Sequence, residues 1–131
     1  MIAKRETIRT VREVGMQDHK LRFSEALLRV AGDVDLLVAM AMFVVDDAPD
    51  VFSELKLQID GNLFSDAAAT AHKLKGLLST FETGGPVLEL HELMVAAKAG
   101  NAEDCRQALR KCDAGIEQLI GEIAQLQSHQ V

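Results

Sequence analysis

Of the four histidines in this 131-residue chain, His72 is the one whose neighbours suit chemistry on its ring. Lys75 and Gly76 follow one helical turn later, so all three share a side of a helix. Ser65, Ala68, Ala69 and Ser79 fall on that side too, within about 60° of His72 when each residue advances the helix by about 100°. The apolar series Leu63, Ala67, Ala71, Leu74, Leu78 and Phe81 takes the other side and must face a core. His72 is therefore expected in solvent, with a ring nitrogen free to act as a nucleophile at cellular pH.

An ordinary solvated helix face carries Glu, Lys, Gln and Arg. Here every neighbour but Lys75 is small, and a glycine inside a helix costs about 1 kcal/mol relative to alanine. Small residues around an imidazole let a second protein bring its backbone close, and Gly76 lowers the surface where a partner loop would cross. Lys75 can set a point charge beside phosphate oxygens carried on His72, and Lys73 adds milder attraction for an acidic partner. The group suits a dianionic phosphoryl substituent. Phosphoryl transfer is mostly positioning and charge neutralisation, so a surface nucleophile needs little machinery if its partner supplies the metal. The sequence contains no Walker loop and no kinase-type glycine loop. The chain is read as a phosphocarrier, not an enzyme, with no metal site or cofactor of its own and with Mg²⁺ arriving on the partner.

The elements that must hold these residues are all helical. Apolar residues repeat at three and four rather than two, and only two prolines occur, which makes the class all-α. Phe23, Ala26, Leu27 and Val30 form one short stripe ended by Gly32, and Asp33 is placed to cap the next helix. Val34, Leu37, Ala41, Val44, Ala48, Phe52, Leu55 and Ile59 keep the helical period through Pro49, which predicts one long helix kinked there. Its first half, Leu36 to Val45, is apolar on nearly every side. Most of that run is expected under the first helix, with Met40 or Phe43 reaching a docking surface. Asp60-Gly61-Asn62 reads as a stop and a cap, and the helix bearing His72 ends before Thr83-Gly84-Gly85. Pro86 fits the first turn of a further helix with Val87, Leu90, Met94 and Ala97 inward. Gly100-Asn101 ends that helix and caps the last, where Cys105, Leu109, Cys112, Ile116, Leu119, Ile123 and Leu126 form a bundle seam. Four long helices joined by short loops fold as an antiparallel up-down four-helix bundle, with a short extra N-terminal helix across one end. The bundle is placed at residues 19–128. Residues 1–18, with Ile8, Val11 and Val14 at helical spacing, form an arm or an extra helix.

The run Ala71-His72-Lys73-Leu74-Lys75-Gly76 resembles the Ala-His-x-Leu-Lys-Gly signature of histidine-containing phosphotransfer (HPt) domains. Ala31-Gly32-Asp33-Val34-Asp35-Leu36-Leu37, with Phe43 and Pro49 after it, is similar to the family's Gly-Asp start of its second helix. Ala96-Ala97-Lys98-Ala99-Gly100-Asn101 resembles its turn before the last helix. The resemblance spans about residues 20 to 127. It implies that His72 carries phosphate on Nε2, that Lys75 supports the phosphate and that Gly76 permits docking of a receiver domain. It further implies a two-component phosphorelay in which the phosphoryl group passes to and from the aspartate of response-regulator receivers or a hybrid histidine kinase. Two positions depart from the pattern: Leu77 and Leu78 follow the glycine where small residues are usual, and the Leu-Glu pair common late in the fourth helix reads Leu93-Met94.

Other functions fit poorly. A net charge of −6, with five Phe and no Trp or Tyr, supplies neither a basic patch nor stacking platforms for nucleic acid. The longest apolar run is half of a membrane span and the N-terminus lacks a hydrophobic signal, so a cytoplasmic protein with no membrane partner is expected. A di-iron bundle would need Glu-x-x-His motifs, but Met16, Ala69, Leu88 and Leu126 stand three before the four histidines. Cys105 and Cys112, two helical turns apart, are expected as core residues, and His19, His91 and His129 as surface residues. A bundle that binds a receiver or kinase as an unphosphorylated adaptor is the chief rival, and a histidine-bearing module of a chemotaxis-type kinase shares the same site. A monomer is the simplest expectation.

Overall fold

The computed structural model describes residues 22–128. Those residues form five helices and no strand: α1 (Ser24–Arg29), α2 (Val34–Asp60), α3 (Phe64–Leu78), α4 (Pro86–Lys98) and α5 (Ala102–Ser128). The proposed division at residue 18, and with it Ile8, Val11, Val14, His19 and His129, lies outside the described residues.

Turn chemistry sets the helix ends. α1 closes with the Gly32 N–H donating to the Leu27 carbonyl at 2.8 Å, with Ala31 left-handed at φ 59° just before it. Asp33 then caps α2, its carboxylate accepting from the Leu36 N–H at 3.0 Å. At the other end of α2 the Leu63 N–H donates to the Gln58 carbonyl at 2.8 Å while Asn62 takes φ 60°. Asn62 therefore terminates α2 instead of capping α3, and its side-chain oxygen accepts from the Arg106 guanidinium. The residue before α3 is Leu63, which makes no side-chain cap and stands exposed, not on the core face where periodicity put it. Asn101 behaves as expected, accepting from the Asp104 N–H at 3.0 Å at the start of α5.

α2 runs through Pro49 as one helix of 27 residues. α2 packs on α3, α3 on α4, α4 on α5 and α5 on α2, which closes an antiparallel four-helix bundle, and α1 touches α2. The core holds Leu37, Val44, Phe52, Leu55 and Ile59 of α2 against Leu74 and Leu78 of α3. Leu90 and Leu93 of α4 and Cys105, Cys112, Ile116, Leu119 and Ile123 of α5 complete it. Phe23 meets Phe81 edge to face at 5.6 Å between centroids, which joins α1 to the turn after α3. Gly115 serves a close approach: a Cβ there would lie 3.0 Å from Cβ of Pro86, so its bareness lets the first turn of α4 rest on α5.

Helix lengths explain one failed expectation. α2 and α5 have 27 residues each, whereas α3 has 15 and α4 has 13. At 1.5 Å per residue the outer pair outruns the inner pair by roughly 18 Å. The first half of α2 lies on this overhang, and α1, only six residues long, does not cover it. Leu36, Met42 and Phe43 are 45%, 46% and 64% exposed, so the apolar run is not mostly buried under α1.

Both cysteines are free and buried, as core residues should be. Burial, reinforced by the charges of Glu89 and Asp113, pushes the Cys112 thiol up to about 12. No described helix is long and apolar enough to cross a membrane.

Candidate functional site

α3 aims His72 by what it buries. Ala67, Ala68, Thr70, Ala71, Leu74 and Leu78 are its inward residues, and His72, Lys73, Ala69 and Gly76 are exposed on the far side. No hydrogen bond to either ring nitrogen of His72 is found among the described residues. Met94, which stands where a Glu is common in the resembled family, is buried and carries no polar group. Among the described residues, then, no partner holds the imidazole in one tautomer.

Not every small residue expected around the ring lies on the surface. Ala68 is only 6% exposed, because α4 packs over its side of α3, and it floors a groove instead of facing a partner directly. Ser79 is half-buried just past the end of α3, where its hydroxyl donates to the Gly76 carbonyl at 3.4 Å. Gly76 lies on the exposed side of α3. A Cβ built there would meet nothing within 4 Å, so nothing among the described residues demands glycine at that position.

Sequence reasoning missed the most specific contact in the region. Lys75 is half-buried, and its Nζ lies 2.9 Å from Nδ1 of His91, a half-buried residue of α4 that was expected on the surface. A lysine ammonium has only donors, so the contact needs His91 neutral, with Nδ1 accepting and the proton on Nε2. His91 therefore holds the head of Lys75 on the α4 side of His72. Which residue of one helix meets which residue of another depends on their rotation and offset, and no periodicity within α4 reveals that.

Between α3 and α4 the surface opens into a groove of about 710 Å³, with His72 in its wall beside Ala68, Ala69, Ala97, Lys98 and Ala99. Phe64 and the polar Ser65 of α3 also line it, and it carries one cation, Lys98, at the end of α4. Among the described residues no three His, Cys, Asp or Glu side chains gather as metal ligands. The arrangement offers a solvent-facing imidazole, a tethered ammonium one turn away and room for another molecule to approach.

A family model described as the Hpt domain matches residues 39–129, a span that takes in α3, α4 and the site. No curated protein and no solved structure matches the chain.

Proposed function

This chain belongs to the Hpt domain family, and on that premise we propose that His72 carries the phosphoryl group it exchanges with the aspartate of a response-regulator receiver. Hpt domains are phosphocarriers, not kinases, and act in two-component signalling. The observation that carries the assignment to His72 is its position. It is exposed, lies beside a groove, and has Lys75 and a side-chain-free Gly76 one turn on.

In the forward step the lone pair on Nε2 attacks the phosphorus of the partner's aspartyl phosphate. The acyl-phosphate P–O bond breaks, its electron pair returns to the carboxylate, and a P–N bond forms while the ring proton stays on Nδ1. The reverse step runs through the same geometry. Lys75 offsets charge on the equatorial oxygens, and Gly76 lets the partner's backbone reach the ring. Mg²⁺, held by carboxylates of the receiver, supplies the remaining neutralisation there.

The test is chemical. Label accepted from a phosphorylated receiver should be acid-labile and base-stable, and peptide mapping should place it on residue 72. Label that survives acid, or that maps elsewhere, would refute the assignment.

A further inference from the structure

We propose that the chain's own N-terminal segment, Lys4 to Val14, lies as a helix on the exposed apolar face of α2, antiparallel to it, with its basic side chains on the aspartates there. The contact is independent of the chemistry at His72. On α2 the positions Leu36, Met40, Phe43, Asp47 and Asp50 recur every three or four residues and form one line along the helix, apolar at its start and acidic at its end. Met40 is half-buried and the other four are exposed. Between Val30 and Lys56 the sequence holds six acidic residues and no Lys, Arg or His. Among the described residues no ion pair answers Asp35, Asp46, Asp47 or Asp50. An apolar face edged with carboxylates calls for a cover that is both amphipathic and cationic.

The N-terminal segment has that chemistry. Residues 1–21 hold five Lys and Arg against three acidic residues, a net positive stretch in a chain of net charge −6. Placed on a helix, Ile8, Val11 and Val14 make one stripe, with Arg5, Arg9 and Arg12 along one flank and Glu6 and Glu13 on the far side. Leu36 to Phe43 spans roughly 10 Å of helix and Val14 to Ile8 roughly 9 Å, so the two apolar stretches match in length. Lys4 then continues the stripe one turn past Ile8, as Asp47 continues the line one turn past Phe43. The tether reaches as well. Arg22, where the described chain begins, is held at the overhang by Glu82 at 2.9 Å and by Glu122 of α5 at 3.3 Å, and α1 packs on α2. Residues 15–21 can extend about 25 Å, against about 9 Å for the length of α1. A segment so tethered meets the face at an effective concentration in the millimolar range. A second copy presenting the same face would instead set carboxylate against carboxylate.

Crosslinking in the full chain tests this. Ile8→Cys combined with Phe43→Cys, oxidised under native conditions at low protein concentration, should close an intrachain disulfide about tenfold faster than Ile8→Cys combined with Leu57→Cys. Leu57 is 72% exposed but lies on α2 beyond Pro49, and the two native thiols are buried and stay out of the reaction. Asp47→Lys should slow closure several-fold, and Lys4→Glu added to it should restore the rate. A second measurement leaves the thiols alone: trypsin should cut after Arg9 and Arg12 about tenfold faster in Phe43→Glu than in wild type. Equal closure rates for the two cysteine pairs, or unchanged cleavage in Phe43→Glu, would overturn the proposal. A disulfide that forms between chains instead of within one would also overturn it and give the face to a second copy.

Discussion

Nζ of Lys75 and Nδ1 of His91 lie 2.9 Å apart across the α3–α4 interface, so the cation beside His72 is aimed by a residue on another helix. Left alone, a lysine head on a four-carbon stem samples many positions and loses entropy when a phosphate fixes it. The His91 acceptor limits that freedom beforehand.

Removing the cation should therefore be costly to chemistry and cheap to the fold. Lys75→Met should slow transfer by about ten- to a hundredfold, the size of one charge-assisted hydrogen bond of about 1.5–3 kcal/mol. His91→Leu should slow transfer several-fold, and His91→Gln, which keeps an acceptor, should recover part of the loss. Single-turnover transfer with parallel melting curves checks this. A structural role for His91 would instead lower the melting temperature of both His91 variants and give no recovery with Gln.

Gly76 separates docking from folding. A Cβ there meets nothing within 4 Å, so Gly76→Ala should stabilise the folded chain by up to about 1 kcal/mol, read as a higher urea midpoint. The bulkier Gly76→Glu should keep the fold but slow transfer from a receiver severely. Wild-type transfer rates in Gly76→Glu would mean that no partner backbone crosses at that point.

These two residues show what the sequence could and could not reveal. Gly76, His72 and Lys75 sit on one helix, where spacing alone fixes their relative direction, so their shared side was legible. The same holds for the seam of α5 and for Asp33 and Asn101, whose capping is local chemistry. Contacts between helices were not legible. The Lys75–His91 pair, the burial of Ala68 under α4 and the overhang that exposes Phe43 all depend on how far one helix slides and turns against another. Asn62 was misjudged because one residue serves equally as the cap of one helix or the left-handed end of another, and the short loop chose the latter.

Cys112 predicts an alkaline weakness. Its thiol is pushed up to about 12 from an ordinary 9.0 by burial first and then by Glu89 and Asp113. Above the ordinary value the unfolded chain releases a proton that the folded chain keeps, so this contribution is full below about pH 9 and falls as pH rises towards 12. Wild type should lose more stability than Cys112→Val between pH 8 and pH 11, measured as the difference of their urea midpoints. The buried thiols should also resist disulfide reagents at pH 8 until the chain unfolds. Rapid labelling of Cys112 under native conditions would contradict this account.

The central claim is that phosphate resides on His72 in transit, and a reversible single-turnover experiment tests it most directly. Chain labelled through phosphoramidate is mixed with an unphosphorylated receiver and Mg²⁺, and label is followed on both proteins. Label should leave the wild-type chain for the receiver, return when a labelled receiver is offered, and never appear on His72→Gln. A receiver that binds the chain tightly while no label moves in either direction would contradict it and leave an unphosphorylated adaptor in its place.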